Sequence, residues 1–437
     1  MEIEEKLKIL GGSVTEDLGD RDGKGDEQLT MQNVKSPCGG SEKSLGIHYT
    51  KMPGGKMMKL ARVLQTNACT RTCHYCAFRC GRKIKRVTFK PQELANTFFE
   101  MQNKRWAEGL FLTSGIPGDS VKMMDRLLET CEILRNKLKY RGYLHLKILP
   151  GSETSQIVRA IQLASRVSLN LEAPTDSSLW KIAPEKDLSK DLLMRLTYAG
   201  EYRLQAMKEK SPFPPLSKGE QKGDLRFAPS GVTTQFVVGA SGEKDEDILR
   251  ILRPLYENRI LHHAHFSAFQ PVLDTPLEGH PAVPSLRGAR LYQVDHLIRE
   301  YGFGFDEIVL NKEGNLPLEA DPKLVWASSH PEYFPVELTT ASYEELLRVP
   351  GIGPIGAKRL LQSRKRIVVR DIEDLKGVGI VVKRAKGFVA WRGRGFKNSS
   401  FTIHHSLFNN SQEPQLSFFP PPSPPPLDAV VSPGAFR

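Results

Sequence analysis

Leu60-Ala61-Arg62-Val63-Leu64-Gln65 runs directly into Thr66-Asn67-Ala68-Cys69-Thr70-Arg71-Thr72-Cys73-His74-Tyr75-Cys76, and the reading of this stretch decides the fold. The first six residues form a short, mostly apolar run of the kind that makes a buried strand. The next eleven break that pattern and set three cysteines at the spacing Cys-x3-Cys-x2-Cys. A strand that ends in a ligand-bearing loop is what a parallel α/β sheet presents at the carboxyl ends of its strands.

Working outward, short apolar runs alternate with longer helical patterns. The runs are Leu60–Gln65, Gly109–Leu112, Tyr143–Leu149, Val167–Leu171, Thr233–Val238 and His263–Phe269. The helical stretches are Pro91–Ala107, Ser120–Tyr140, Glu153–Ser165, Ser189–Lys208, Lys244–Glu257 and Leu286–Glu300. Six β–α units in series predict an α/β fold with a parallel sheet covered by helices. An open doubly wound sheet and a partial (β/α)6 barrel both fit this order, and either places ligands at the carboxyl ends of the strands. The expected barrel spans residues 49–305. A flexible amino-terminal arm over 1–48, opening with a short helix-like piece, precedes it, and a Pro- and Gly-rich insertion interrupts it at 209–224. After Gly302 the strand signal fades, and residues 306–397 read as a helical domain. The remainder, 398–437, reads as an extended tail, since eight of the last 27 residues are Pro.

Composition narrows the class. The 437 residues are 39% apolar and 26% charged, ordinary for a globular protein. No apolar run reaches the ~18 residues of a membrane span. The opening MEIEEKLKIL lacks the basic-then-apolar layout of a secretory signal, so a cytoplasmic protein is expected. Four of the six cysteines (Cys69, Cys73, Cys76, Cys80) fall within twelve residues, whereas a disulfide framework would scatter them through a small secreted chain. Cys38 and Cys131 take no role, and Cys131 lies in a helical pattern that places it in the core.

Three thiolates on one loop can hold three irons of a 4Fe–4S cluster, leaving the fourth iron open, whereas most such clusters take four cysteines. The alternative is zinc on Cys69, Cys73 and Cys76 with His74 or Cys80. Against it, no second Cys/His knuckle follows downstream. The triad resembles that of the radical S-adenosylmethionine (radical SAM) enzymes. The resemblance implies that Cys69, Cys73 and Cys76 bind the cluster and that the open iron chelates S-adenosylmethionine. Reductive cleavage would then give a 5′-deoxyadenosyl radical, with Tyr75 near the adenine. It also implies an external reductant, a flavodoxin or ferredoxin. Ser114-Gly115-Ile116 stands where the family has a Gly-Gly-Glu-like turn for the amino group of SAM, without the acid. Asn170 and Glu172, alternating at the end of the fourth strand, are candidates for the ribose hydroxyls. His263, His265 and Ser267 share a face of the sixth strand and either line the cavity or are satisfied in the core. Lys147 on the third strand points inward or to water. No residue beyond the cysteines takes a catalytic role from the sequence.

The second informative stretch is Leu346-Leu347-Arg348-Val349-Pro350-Gly351-Ile352-Gly353-Pro354-Ile355-Gly356-Ala357-Lys358-Arg359-Leu360. Its Gly-x-Gly-x-x-Gly is not a dinucleotide motif, because a helical pattern and not a strand precedes it. A helix-hairpin-helix fits: a helix ending at Val349, a tight turn, and a second helix opened by Gly356. A degenerate copy follows, Leu375-Lys376-Gly377-Val378-Gly379-Ile380-Val381-Val382-Lys383-Arg384-Ala385. Gly351, Gly353, Gly356, Gly377 and Gly379 would let backbone N–H groups approach a phosphate, with Lys358, Arg359 and Lys383 adding charge. Of the net charge of +12, Ala341–Lys397 carries +9, from 14 basic and 5 acidic residues. A concentrated cationic stretch points to a polyanion, though a protein-docking helical pair is the alternative. DNA glycosylases that carry an iron–sulfur cluster place four cysteines after the hairpin, unlike this chain.

The order of cysteine triad, β/α repeat, Asp321–Ala327 helix and paired hairpins resembles the DNA modification/repair radical SAM proteins over roughly Leu45 to Trp391. Arg290–Asp295 and Phe334–Leu338 are also similar. The family's name links it to a uracil-DNA-glycosylase-like partner. The resemblance implies an enzyme that delivers nucleic acid, DNA before RNA, to the radical. A non-enzymatic iron–sulfur DNA-binding or redox protein is the remaining alternative.

Overall fold

Strands Gly109–Thr113 and Val232–Val238 are buried along their whole length, as strands are when helices or a closed interior cover both faces. The computed structural model describes residues 2–12, 45–51, 57–208 and 227–396. The insertion at 209–224, the Pro-rich tail, Cys38 and most of the amino-terminal arm lie outside them. The described residues form two compact units, one holding 2–12, 45–51, 57–208, 227–243 and 250–285, the other 244–249 and 286–396.

In the first unit seven strands pair strictly in chain order: β1 (Ile47–Lys51), β2 (Met57–Leu64), β3 (Gly109–Thr113), β4 (Tyr143–Lys147), β5 (Arg166–Ser168), β6 (Val232–Val238) and β7 (His263–Ala268). All neighbours from β2 to β7 are parallel. A doubly wound sheet would reverse its strand order part-way; this one never does, so of the two expected architectures the half-barrel is the one formed. All six expected strands are present. The sequence reading missed β1, an antiparallel edge strand in register Ile47↔Ala61. It also took the opening residues as part of a flexible arm. Helix α1 (Ile3–Gly12) is instead packed, with Leu7 and Leu10 buried and Lys6 ion-paired to Glu93 at 2.6 Å.

Register divides the sheet into two faces. Leu110, Leu112, Leu144, Leu146 and Val167 are fully buried on the helix-covered face. On the opposite, inner face Arg62, Phe111, His145 and Arg166 fall in one lateral row. Lys147, Ser168, Thr233 and His263 fall in the row above it. Lys147 therefore belongs to the inner face. Cys131, in helix Ser120–Glu132, is fully buried, and burial pushes its thiol up to about 12, as a core residue requires.

The second unit packs helices Ser285–Tyr301, Pro322–Ser329, Tyr343–Arg348 and Pro354–Ser363 around a core that includes Trp326, Leu346, Ile352 and Leu360. Helix Ser285–Tyr301, expected in the barrel domain, falls almost wholly in this unit. The expectation of helices and turns alone is corrected by a small sheet of Val336–Glu337, Val389–Trp391 and Arg394–Gly395. These strands are two or three residues long, too short for a period-two pattern to register. No helix among the described residues is long and apolar enough to cross a membrane.

Arg135 ties the lower end of the sheet. It is 3% exposed and donates to the carbonyls of Leu163, Tyr140 and Gly142 at 2.8–2.9 Å. Its replacement in Arg135→Leu leaves those acceptors unmet. A loss of about 3 kcal/mol is expected, read as a lower urea midpoint at unchanged slope.

Candidate cluster-binding site

Strand β2 ends in three buried polar residues, Gln65, Thr66 and Asn67. Each is spent on the far end of the loop it opens. Gln65 Nε2 donates to Phe89 O at 2.8 Å, Thr66 Oγ1 to Val87 O at 2.9 Å, and Asn67 both donates to Lys85 O and accepts from Val87 N. The loop from 65 to 89 is thus zipped shut at its base. Arg86 fills its middle, donating to the carbonyls of Asn67, Phe78, Arg79 and Arg82. These bonds replace the backbone pairing that an irregular segment otherwise lacks.

The three predicted cysteines sit on this loop as free thiols, Cys73 buried and Cys69 and Cys76 partly so; Cys80 is exposed. Burial raises the Cys73 thiol, and Lys186 acts in the opposite direction. Among the described residues no three His, Cys, Asp or Glu side chains converge as ligands of one ion must. A 4Fe–4S cluster takes each thiolate on a different iron, and three thiols on one loop supply three of its four irons. The donor set fits the cluster.

The turn after β3 closes over the start of the loop. Gly115 N donates to Thr66 O at 2.7 Å, Thr70 N to Ile116 O at 2.9 Å, and a Cβ on Gly115 would stand 2.4 Å from Ala68 O. The hydroxyl of Ser114 is buried with no hydrogen-bond partner, a polar atom left for a ligand at the position proposed for the amino group of SAM.

The sequence reading missed the segment that holds the loop from the other side. Helix Asp176–Ile182 and the turn after it place Ile182 O on His74 N at 2.7 Å and Lys181 O on His74 Nδ1 at 2.8 Å. Glu185 accepts from Thr72 N at 3.0 Å, from the Thr72 hydroxyl, and from Arg71 at 3.3 Å. The hydrogen bond from the Thr72 hydroxyl, opposed by partial burial and reinforced by Thr72 N and Arg71, lowers the Glu185 pKa. The next residue, Lys186, is partly buried and reaches Glu172 at 2.8 Å. Burial alone would lower its pKa; Glu172 first, then Cys73 and Cys76, raise it.

Asn170 and Glu172 are both buried, 3.5 Å apart. Glu172 does not continue an extended strand: its φ is +66°, and one carboxylate oxygen is taken by Lys186. The expected ribose pair is corrected to this extent, because period-two alternation fails where the backbone turns left-handed. On the inner face His263 and His265 meet edge to face at 4.4 Å, and Gln235 Nε2 donates to Ser267 Oγ at 3.0 Å. Burial, aided by His263 and Arg166, holds His265 well below the usual imidazole range; burial with Arg166, Arg62 and Lys147 does the same for His145.

In the second unit helix Tyr343–Arg348 turns through Gly351 into helix Pro354–Ser363. The second copy is shorter, a 3-10 turn Ile372–Val378 and a single turn Val382–Ala385. Several glycines serve a different purpose from the one predicted. A Cβ on Gly351 (φ +84°) would meet Val381 O at 2.5 Å, and one on Gly356 would meet Gly379 O at 3.0 Å. These two glycines pack hairpin against hairpin. Gly356 is the third residue of its helix, not the first. Gly353 faces the Tyr301 hydroxyl, Gly379 is a left-handed cap (φ +89°), and Gly377 has open space around it. Lys358, Arg359 and Lys383 are exposed.

Because no side chain fits between Gly115 and Ala68 O, Gly115→Ala is expected to displace the start of the loop. Reconstituted protein should bind markedly less than a full complement of iron and sulfide while the far-UV circular dichroism stays that of the parent.

Residues 63–209 match the family model described as the Radical SAM superfamily. Among solved structures the chain is similar to HydG, a maturase of the FeFe-hydrogenase (16% identity, TM-score 0.40, covering 55% of this chain and 50% of that one). HydG from Carboxydothermus hydrogenoformans gives 14% identity and a TM-score of 0.39, with 55% and 51% covered. Methylornithine synthase (PylB) gives 15% identity and a TM-score of 0.40, with 68% and 70% covered. The match spans about half the length of the HydG chains, and at these values neither protein's chemistry transfers. No curated protein sequence matches. From the strand-end loop, its three thiols and the family match together, the chain carries a radical SAM superfamily domain, whose cofactors are a 4Fe–4S cluster and S-adenosylmethionine.

Proposed function

We propose that the radical SAM domain acts on nucleic acid, with DNA the first candidate and the second unit its binding module. The observation that carries this reading is the pair of helical hairpins with Lys358, Arg359 and Lys383 on their exposed surface. Such contacts supply affinity and register on a phosphate backbone without reading bases. The inner face of the sheet supports an anionic substrate: it carries Arg62, Lys147 and Arg166, and strands β2 to β7 contain no Asp or Glu.

When bound, the cluster and SAM supply a carbon radical able to abstract hydrogen. The chain's part is to hold and orient. Cys69, Cys73 and Cys76 would ligate three irons, and Ser114 with the turn at Gly115 would face the methionyl amino group. Asn170, buried and 3.5 Å from Glu172, is the candidate for a ribose hydroxyl. A base or sugar within a duplex must be exposed to reach the inner face, by flipping or at a lesion. Reduction needs a one-electron donor such as a flavodoxin or ferredoxin, and a uracil-DNA-glycosylase-like protein is a candidate partner downstream.

The deciding experiment is anaerobic reconstitution with SAM and dithionite, assayed for 5′-deoxyadenosine with and without DNA. Stimulation by duplex DNA is expected; stimulation by structured RNA alone would move the substrate to RNA, and none by either would overturn the reading. In binding assays the triple variant Lys358→Gln/Arg359→Gln/Lys383→Gln should lose affinity for all sequences alike. Its salt dependence should flatten by about 0.9 in log–log slope per phosphate contact removed. Replacing Cys80 with Ser should leave the cluster absorbance intact, whereas Cys73→Ser should bleach it. Loss in Cys80→Ser would instead mark a four-cysteine, non-enzymatic cluster.

A further inference from the structure

Lys186 and Glu172 form a buried ion pair, with side chains 12% and 6% exposed and 2.8 Å between Nζ and Oε1. Removing two charges from water costs several kcal/mol each, and their attraction often fails to repay it. A pair kept under those terms calls for a purpose beyond stability. Its backbone setting adds a second cost, because Glu172 occupies the left-handed region at φ +66°, which a residue with a Cβ rarely adopts. That conformation is pinned on both sides, Glu172 N donating to Gln235 O at 2.9 Å and Val237 N to Glu172 O at 2.8 Å. Strain held in place by surrounding structure is a mark of functional sites.

The pair lies against the cysteine loop. Thr72 is clamped to Glu185 and His74 to Ile182, so Cys73 lies between two residues fastened to the segment that leads into Lys186. Lys186 N donates to Ala183 O at 3.0 Å, turning the chain so that its side chain meets Glu172. In charge terms, Cys73 feels both Lys186 and Glu172, and Lys186 feels both Cys73 and Cys76.

We propose that the Lys186–Glu172 pair sets the reduction potential of the cluster held by Cys69, Cys73 and Cys76, Lys186 favouring the reduced state and Glu172 opposing it. A 4Fe–4S core of charge 2+ with three thiolates carries −1, and one electron from the external donor takes it to −2. A fixed cation on the segment clamped to the cysteine loop stabilises that added charge, and the anion paired with it limits the gain. Hydrogen bonding and net charge around a cluster are general determinants of its potential. The inference rests on the three-cysteine site and not on the nucleic-acid reading, so it stands or falls separately from the choice of substrate.

The test is an EPR-monitored redox titration of the full chain, reconstituted anaerobically without substrate. In Lys186→Met the reduced-to-oxidised ratio at a fixed poise is expected to fall about ten-fold, a shift of 59 mV to lower potential. Glu172→Gln should move it the opposite way, the double variant should return towards the parent, and Lys186→Arg should match the parent. Opposite signs are the discriminating result, since damage to a structural contact has no reason to reverse with the sign of the charge removed. If both single variants hold a full cluster and shift in the same direction, or not at all, the proposal is wrong. Should Lys186→Met fail to hold a cluster, Glu172→Gln and Lys186→Arg decide alone: an unshifted Glu172→Gln overturns it.

Discussion

Everything at the cysteine site depends on how the chain leaves β2. An irregular loop of more than twenty residues cannot bury its backbone unless each carbonyl and N–H finds a partner. Here one guanidinium and three polar side chains provide them. Arg86 takes four carbonyls, and Gln65, Thr66 and Asn67 tie the base. The positions of Cys69, Cys73 and Cys76 follow from that internal scaffold, not from regular secondary structure. Arg79 and Arg82 border the same loop, with the Arg82 guanidinium bonded to Ala77 O. The run of basic residues after Cys76 is therefore partly structural.

The parallel strands were legible because each lies in a short apolar run that alternates with a helical stretch, even β5, whose three residues fall within the run Val167–Leu171 or beside it. The cysteine triad was legible because three thiols seven residues apart end to end have few other uses. What escaped has a common cause: it depends on partners distant in sequence. Glu185 meets Thr72 across 113 positions, and Lys186 meets Glu172 only because the backbone at Glu172 turns left-handed. Nothing in Ala183-Pro184-Glu185-Lys186 marks a site when read locally. The edge strand β1 escaped for a related reason, since its pairing with β2 is antiparallel and lies outside the β–α rhythm.

The glycines of the second unit show a different limit. A helix, Tyr343–Arg348, and not a strand precedes the Gly-x-Gly-x-x-Gly stretch. Yet a glycine that admits a phosphate and a glycine that admits another backbone are identical in sequence. Gly351 and Gly356 face the second hairpin, at Val381 O and Gly379 O. Their tight packing makes the two hairpins one body with a shared core through Ile352, Ile380 and Val382. The phosphate reading consequently rests on exposed side chains and helix ends, not on the motif that first suggested it.

The same distinction applies to charge. A surplus of twelve positive charges reads as a polyanion surface only if the charges face outward. Several do not. Arg135 and Arg203 are 3% exposed and Arg290 is 0% exposed, each bonded to backbone carbonyls. In the basic stretch Arg364 donates to Ala341 O, Arg348 to Tyr301 O and Glu307, and Arg384 pairs with Asp321. Lys323 is buried among apolar groups, its pKa pushed well down by burial, with its Nζ on Ile352 O at 2.6 Å. Lys358, Arg359 and Lys383 face outward, as do basic residues of the first unit such as Lys83, Lys104, Arg105 and Arg141. A charge in low dielectric acts strongly over a short range, whereas one in water is screened within about 8 Å. A charge held out of water can therefore weigh more in the chemistry than several on the surface.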